Sequence, residues 1–262
     1  MSDMTTTPRT EPEIEAIFGD TVAEAARVLP AASLREEWGR FFAFLKRPTL
    51  RGDVAIGARA TVLARIYALD MMAMFALIVA ASAAVAAGLT LPQTALAGME
   101  FTPLIVLAVI VIAPVFEELM FRGWLSGRPS HIIGLLLAGP GVWIALSLQP
   151  SAPLIGALIG FVSLVAAAAA LIVLRRRPAF DWFARFFPAF FWLATLAFAL
   201  VHLTNFDEGS AAILLPLVLP QFILGSLLGY IRVRIGILGA IALHAAHNAT
   251  AIGIAALAMS MD

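Results

Sequence analysis

The sequence predicts an all-α fold: a polytopic transmembrane helix bundle of about seven spans, preceded by a short N-terminal amphipathic helical segment. Three observations carry this reading. Hydrophobic residues make up 61% of the 262-residue chain and charged residues 13%, with a mean hydropathy of +0.95. Soluble domains are about half apolar and about a quarter charged. Apolar runs recur at the length of roughly 20 residues that a helix needs to cross about 30 Å of hydrocarbon. The arginines fall in alternate connections between those runs, as the positive-inside rule requires.

Residues 1–66 read as a cytoplasmic or interfacial segment and 67–262 as the membrane domain. In "SLREEWGRFFAFLKRP", Leu34, Trp38, Phe41, Phe42 and Leu45 share one helical stripe, with Arg35, Glu36, Glu37 and Arg40 opposite. Ser33 and Glu36 match a capping box, and Pro48 follows the expected end. Such a helix lies at the cytoplasmic membrane face or packs against the bundle. "EIEAIFGDTVAEAARVL" is a weaker amphipathic pattern.

The expected spans run from Met71 to Leu89, Phe101 to Trp124, Ile132 to Leu148, Leu154 to Leu174, Pro188 to Thr204, Ala211 to Tyr230 and Ile235 to Met259. Arg59 and Arg65 precede the first; Arg128 follows the second. Arg175, Arg176, Arg177 and Arg185 lie between the fourth and fifth, and Arg232 and Arg234 precede the seventh. The connections "TLPQTALAGM", "QPSAP" and "LTNFDEGS" hold no Lys or Arg. Alternation then puts the N-terminus in the cytoplasm of a multi-pass protein of the cell (inner) membrane. Met1 to Thr10 is polar and does not read as a signal peptide, so the first span is expected to stay as an anchor. The absence of cysteine excludes disulfide and thiolate chemistry. Zero formal net charge gives no footprint for nucleic acid. An excess of Arg over Lys with abundant Ala points to a bacterial source.

A charge at the centre of a spanning helix costs about 3 kcal/mol on insertion scales, so the polar residues inside the spans form a short list. In "APVFEELMFRGWL", Glu118 and Arg122 stand four apart in the favourable order for a helical ion pair. Glu117 is turned about 100° away, with no partner on its own span. An unpaired carboxylate in a low-dielectric site has its pKa raised and so becomes a general base near neutral pH. The plainer reading makes all three ordinary flanking charges that end the helix. His202 closes the fifth span in "FALVH", where a lone histidine is commonly an interfacial residue. In "LHAAHNAT", His244 and Asn248 share a face inside an apolar run and need partners; His247 joins them or faces another helix. One shared polar site is the economical arrangement: a carboxylate base, imidazoles that donate hydrogen bonds or bind a metal, and an amide for an oxyanion. That set suits water-activated amide hydrolysis inside the bilayer.

With "EELMFR", "FALVH" and "HAAHN" in that order, the chain resembles the CPBP family of intramembrane proteases, which groups CAAX prenyl endopeptidases with bacteriocin-processing and self-immunity proteins. The run "GSLLGYIRVRIG" is also similar to the family. The resemblance covers about residues 101–259. It implies an endopeptidase acting on a membrane-associated peptide or protein, with Glu117 as the water-activating base supported by Glu118 and Arg122. His202 would contact the water or a metal, and His244 and Asn248 would stabilise the tetrahedral intermediate. Nothing in the motif transfers to His247. Relatives are expected to have a short link between the first two motifs, whereas spans three and four intervene here. Residues of about 128–177 therefore read as an inserted transmembrane hairpin, and two added spans preserve the sidedness of the later motifs. Eukaryotic relatives cleave beside a prenylated cysteine, a specificity that the resemblance alone does not carry over. No cofactor is certain: the chemistry is metal-free, or His202, His244 and a glutamate hold Zn2+ with water in the open position. Measured from a fifth span that begins at Pro188, His202 lies deeper than Glu117, so one shared site requires a tilt, a kink or a later start for that helix, and Pro188 permits the later start. Competing readings are a non-catalytic scaffold or immunity protein and a proton-coupled transporter.

Overall fold

The structure, a computed structural model, describes residues 31–50, 54–94, 100–206 and 208–259, with side chains to 257. Among the described residues every regular element is helical, and seven helices are long and apolar enough to cross a membrane. The candidate helix in "EIEAIFGDTVAEAARVL" lies outside the described residues.

Helix α1, Leu34–Lys46, begins where Ser33 Oγ accepts the Glu36 amide at 3.1 Å while Glu36 Oε2 accepts the Ala32 amide at 2.6 Å, a variant of the capping box in which Glu36 reaches the amide before the N-cap instead of the N-cap's own. Phe41 is buried, and so is Glu37, which the helical stripe assigns to the polar face. The reason is tertiary: the Tyr230 hydroxyl donates to Glu37 Oε1 at 2.6 Å, and Arg234 Nη2 lies 4.0 Å from it. Trp38 Nε1 donates to the Arg65 carbonyl at 2.8 Å. The helix thus packs on the bundle, leaving Leu34 and Phe42 exposed.

Helix α2, Arg59–Ala86, is the first span and starts well before Met71. The compositional boundary at 66/67 therefore falls inside it, and Asp70 becomes an intramembrane residue. The second span, α3 (Pro103–Ser126), changes pitch along its length. After Pro103–Leu107 comes a π turn, Ala108–Ile112, then α-helix over Ala113–Arg122 and a 3-10 end over Gly123–Ser126. In the π turn the Ala113 amide bonds to the Ala108 carbonyl, five residues back. Pro114 has no N–H, so the Val109 carbonyl loses both donors its own helix would offer.

Helices α4 (Pro129–Ser147) and α5 (Pro153–Val173) pack chiefly on each other, and α4 also touches the 3-10 end of α3. Small residues set their approach: a Cβ on Gly156 would come 2.7 Å from the Ala145 carbonyl oxygen, and one on Gly160 would come 3.1 Å from Ala145 Cβ. The chain enters and leaves this hairpin at one place, for the Phe180 amide donates to the Gly127 carbonyl at 3.0 Å. Gly127 takes φ +68°, and a Cβ there would meet Phe183 at 2.7 Å, so the turn requires glycine.

Helix α6, Asp181–Val201, passes through Pro188 instead of starting there. Its Phe183, Phe187 and Phe191, four apart, are fully buried. Hydropathy alone places the start at Pro188, and the aromatic turn before it extends the helix. Short α7 (Ala211–Leu217) leads into α8 (Leu219–Arg234), which is buried continuously from Leu224 to Ile231 against α1, α2, α6 and α9. The "GSLLG" run has a packing reason. A Cβ on Gly225 would lie 3.2 Å from both Arg122 Nη2 and Phe198 Cδ1, and one on Gly229 would lie 2.6 Å from the Phe191 ring. Helix α9, Ile237–Met259, packs against α2, α3 and α8.

The arginine-bearing connections gather at one end of the bundle. Val54 N–H donates to the Arg234 carbonyl at 2.9 Å. Arg232 donates to the carbonyls of Arg122 at 3.0 Å and Gly123 at 3.4 Å, a cation placed where the carbonyls at the C-terminus of a helix lack donors.

Candidate active site

The three motifs converge. Helix α3 supplies Glu117, Glu118 and Arg122, the end of α6 supplies His202, and α9 supplies His244 and Asn248. Glu118 is fully buried and Arg122 is 1% exposed. Arg122 Nη1 donates to Glu118 Oε1 at 2.5 Å, and His244 Nδ1 lies 3.0 Å from the same oxygen. Arg122 also lays its guanidinium carbon 4.0 Å from the centre of the Phe198 ring, a cation–π contact that helps hold a charge away from water. The three therefore form one buried, paired unit, which flanking charges at a helix end would not.

Glu117 is placed differently. Its side chain is 27% exposed, yet Oε2 is buried without a hydrogen-bond partner. That oxygen lies 3.8 Å from His244 Nε2 and 4.0 Å from His202 Nε2. Both imidazoles are oriented from their far side. His202 Nδ1 donates to the Phe198 carbonyl at 2.6 Å, since a carbonyl only accepts, and His244 Nδ1 is hydrogen-bonded to Glu118 Oε1, which also accepts from Arg122. On both rings Nε2 then faces Glu117.

Asn248 sits one turn along α9 from His244. Its Nδ2 donates to the Val109 carbonyl at 2.8 Å, the oxygen stranded by the π turn and Pro114. One of its two N–H groups is thereby committed to holding α9 against α3, and the other remains. His247 turns the other way: its Nδ1 lies 2.8 Å from Oδ2 of fully buried Asp70 on α2. It faces another helix and stands apart from the Glu117 cluster.

Depth is reconciled in two ways. Arg122 is inside the bundle, so the end of α3 lies further on, at Ser126. Side chains on a helix also lean toward its N-terminus, which brings Glu117 and His202 toward one another from helices that cross the membrane in opposite directions.

Sequence reasoning misses Asp70, Arg232 and the Val109 carbonyl, and singles out Phe198 only as the first residue of "FALVH". Asp70 adjoins an expected span, and extending the apolar pattern back to Arg59 would find it. Arg232 counts in the sequence only as a topology charge. Phe198, one turn before His202, packs its ring against both His202 and His244 at centroid distances of 4.8 and 5.7 Å. The Val109 oxygen has no side-chain signal of its own.

As for a metal, the imidazoles carry the outer hydrogen bonds typical of metal-binding histidines. The spacings of 3.8 and 4.0 Å are nevertheless wider than the roughly 3.4 Å separating ligand atoms around a tetrahedral zinc with bonds of about 2.0–2.1 Å. Among the described residues no group of three His, Asp or Glu side chains has the geometry to hold a metal ion.

No curated protein and no solved structure matches the chain. A family model described as "Type II CAAX prenyl endopeptidase Rce1-like" matches residues 99–250, more than half of the chain and the whole of the three motifs. The chain is therefore a multi-pass membrane protein that belongs to the Rce1-like type II CAAX prenyl endopeptidase family, a family of proteases.

Proposed function

We propose that the protein hydrolyses a peptide bond of a membrane-associated peptide or protein, with Glu117 activating the water. The observation that carries this reading is the placement of Glu117 Oε2, buried, unpartnered and within 3.8 and 4.0 Å of two imidazole Nε2 atoms. A water held among these three atoms gives one proton to Glu117 as its oxygen bonds to the substrate carbonyl carbon. His244 Nε2–H and the second N–H of Asn248 donate to the resulting oxyanion. The carbon–nitrogen bond then breaks, and the proton held by Glu117 passes to the departing amine. Glu118 and Arg122 fix His244 and the end of α3. The substrate enters from the arginine-rich end, which the charge bias makes cytoplasmic along with the N-terminus.

Zinc is the second reading, favoured by the outer hydrogen bonds of His202 and His244. The spacing of these atoms does not fit a tetrahedral zinc. Stoichiometric zinc in active purified protein, lost together with activity on chelation, would replace the metal-free route.

The α4–α5 hairpin is proposed as an insertion into the protease core. Its ends meet at the Gly127–Phe180 hydrogen bond, and the rest of the bundle scarcely touches it. Excising residues 128–179 and joining the ends through a short glycine linker should leave a folded protein with the same cleavage products.

The deciding experiment compares peptide termini in the membrane proteome of cells expressing wild type or Glu117→Gln at equal levels. New termini with wild type alone support proteolysis and identify the substrate. Equal termini, with the variant supporting the cell as wild type does, would favour a scaffold. Flux of a solute in liposomes without cleavage would favour a transporter.

A further inference from the structure

Four contacts grip α9, and they fall on two flanks. On the α3 flank are His244 with Glu118 and Asn248 with the Val109 carbonyl. On the α2 flank are His247 with Asp70 at 2.8 Å and Thr250 Oγ1 with the Tyr67 hydroxyl at 2.5 Å. At 100° per residue His247 stands about 60° to one side of His244 and Asn248 about 40° to the other. The two flanks therefore oppose each other in fixing the rotation of α9 about its axis. Asp70 is fully buried, and a carboxylate inside a span is costly unless it is paired. The catalytic reading makes no use of it. Helix α2 moreover ends before residue 99, where the family match begins, so this flank is an addition from outside the matched core.

We infer that Asp70 and His247 are positioning residues that set the rotation of α9 and thereby aim His244 Nε2 at Glu117. The inference rests on the peptidase reading only for its consequence in rate. An imidazole nitrogen lies roughly 6–7 Å from its helix axis, so a 10° rotation displaces it by about 1 Å. Misplacement on that scale costs on the order of a hundredfold in rate. A cavity of about 240 Å³ between α2 and α9, lined by Met71, Met74, Ile78, His247 and Ala251 among others, leaves space beside the pair. Packing alone therefore does not lock the helix on this side.

The chain has four histidines, which makes nitrogen-15 histidine labelling in lipid nanodiscs a direct test. The His244 Nδ1–H resonance, assigned by its loss in His244→Gln, reports the bond to Glu118. Asp70→Asn should displace that resonance, and His247→Gln should do the same; the second variant carries the test if the first does not fold. Exchanging the pair, Asp70→His with His247→Asp, should restore it. Wild-type cleavage products per folded molecule should fall by roughly tenfold to a hundredfold in the single variants. A His244 resonance that stays in place after the His247 bond is lost would overturn the inference whatever the activity. So would an equal displacement by Ala251→Leu, which fills the cavity and leaves the pair intact. Because the resonance is read without turnover, the inference can fail while the peptidase reading stands, and the reverse.

Discussion

The bundle around Glu117 and the α4–α5 hairpin are both built from apolar helices, yet they are held together in different ways. In the bundle, contacts of 2.5–3.0 Å join Arg122, Glu118 and His244, tie Asn248 to Val109, and hold Arg232 against the Arg122 carbonyl. In the hairpin, glycines bring backbone near backbone, as where Gly156 meets the Ala145 carbonyl. Close packing of small residues fixes how near two helices come. Directed polar bonds also fix rotation and register, to a fraction of an ångström. Chemistry that needs a carboxylate oxygen between two imidazoles belongs with the second kind of packing.

The largest effect that would break this contrast is expected at Glu117. Glu117→Gln keeps the shape and removes the base, so cleavage should fall roughly 10²–10⁴-fold, the range of general-base contributions, with insertion and melting temperature unchanged. Equal activity at matched expression would remove Glu117 from the chemistry. Next comes Arg122→Leu, which strands Glu118 among buried groups. Breaking a buried pair costs about 3–5 kcal/mol, so the melting temperature and activity should fall together; a normal melting curve would contradict the paired unit.

The hairpin should respond the other way. Gly156→Leu drives a side chain into the Ala145 carbonyl and should cost about 1–3 kcal/mol by overpacking, while activity per folded molecule stays at the wild-type value. A matching loss of turnover would show that the hairpin is coupled to the site. The smallest effect belongs to α1. The Ala32 amide, and after it the Arg40 guanidinium, hold the Glu36 carboxyl below its ordinary value of 4.5. A folded-state pKa below the unfolded one contributes stability above that ordinary value, and the contribution is lost as pH falls through the folded value. The melting temperature of Glu36→Gln should therefore lie slightly below wild type at neutral pH and converge with it in acid; a constant gap would argue against the cap.

Much of this is legible in the residues. Spans are set by apolar length, and polar residues inside them are rare enough that Glu117, Glu118, Arg122, His202, His244 and Asn248 draw notice. Whatever depends on a partner distant in sequence escapes. Glu37 follows the polar side of its helix by periodicity, and only Tyr230 and Arg234 explain its burial. Asp70 passes for a flanking residue because hydropathy drops at the charge and the expected span begins after it. His247 carries two open readings until Asp70 decides between them. Pro188 reads as a start although the preceding phenylalanines continue the helix. The π turn at Ala108–Ile112 gives no compositional sign.

That turn links two positions which nothing in the chain order connects. Asn248 serves an oxygen left free because residue 114 is proline. An alanine at 114 would bring back an N–H able to reach Val109, and the need for an amide at 248 to hold α9 would lessen. Substitutions at the two positions should then compensate one another: Asn248→Ala ought to be better tolerated, in stability, beside Pro114→Ala than alone. The histories of these two sites would be read together, as a conditional tolerance in which a backbone atom is the intermediary.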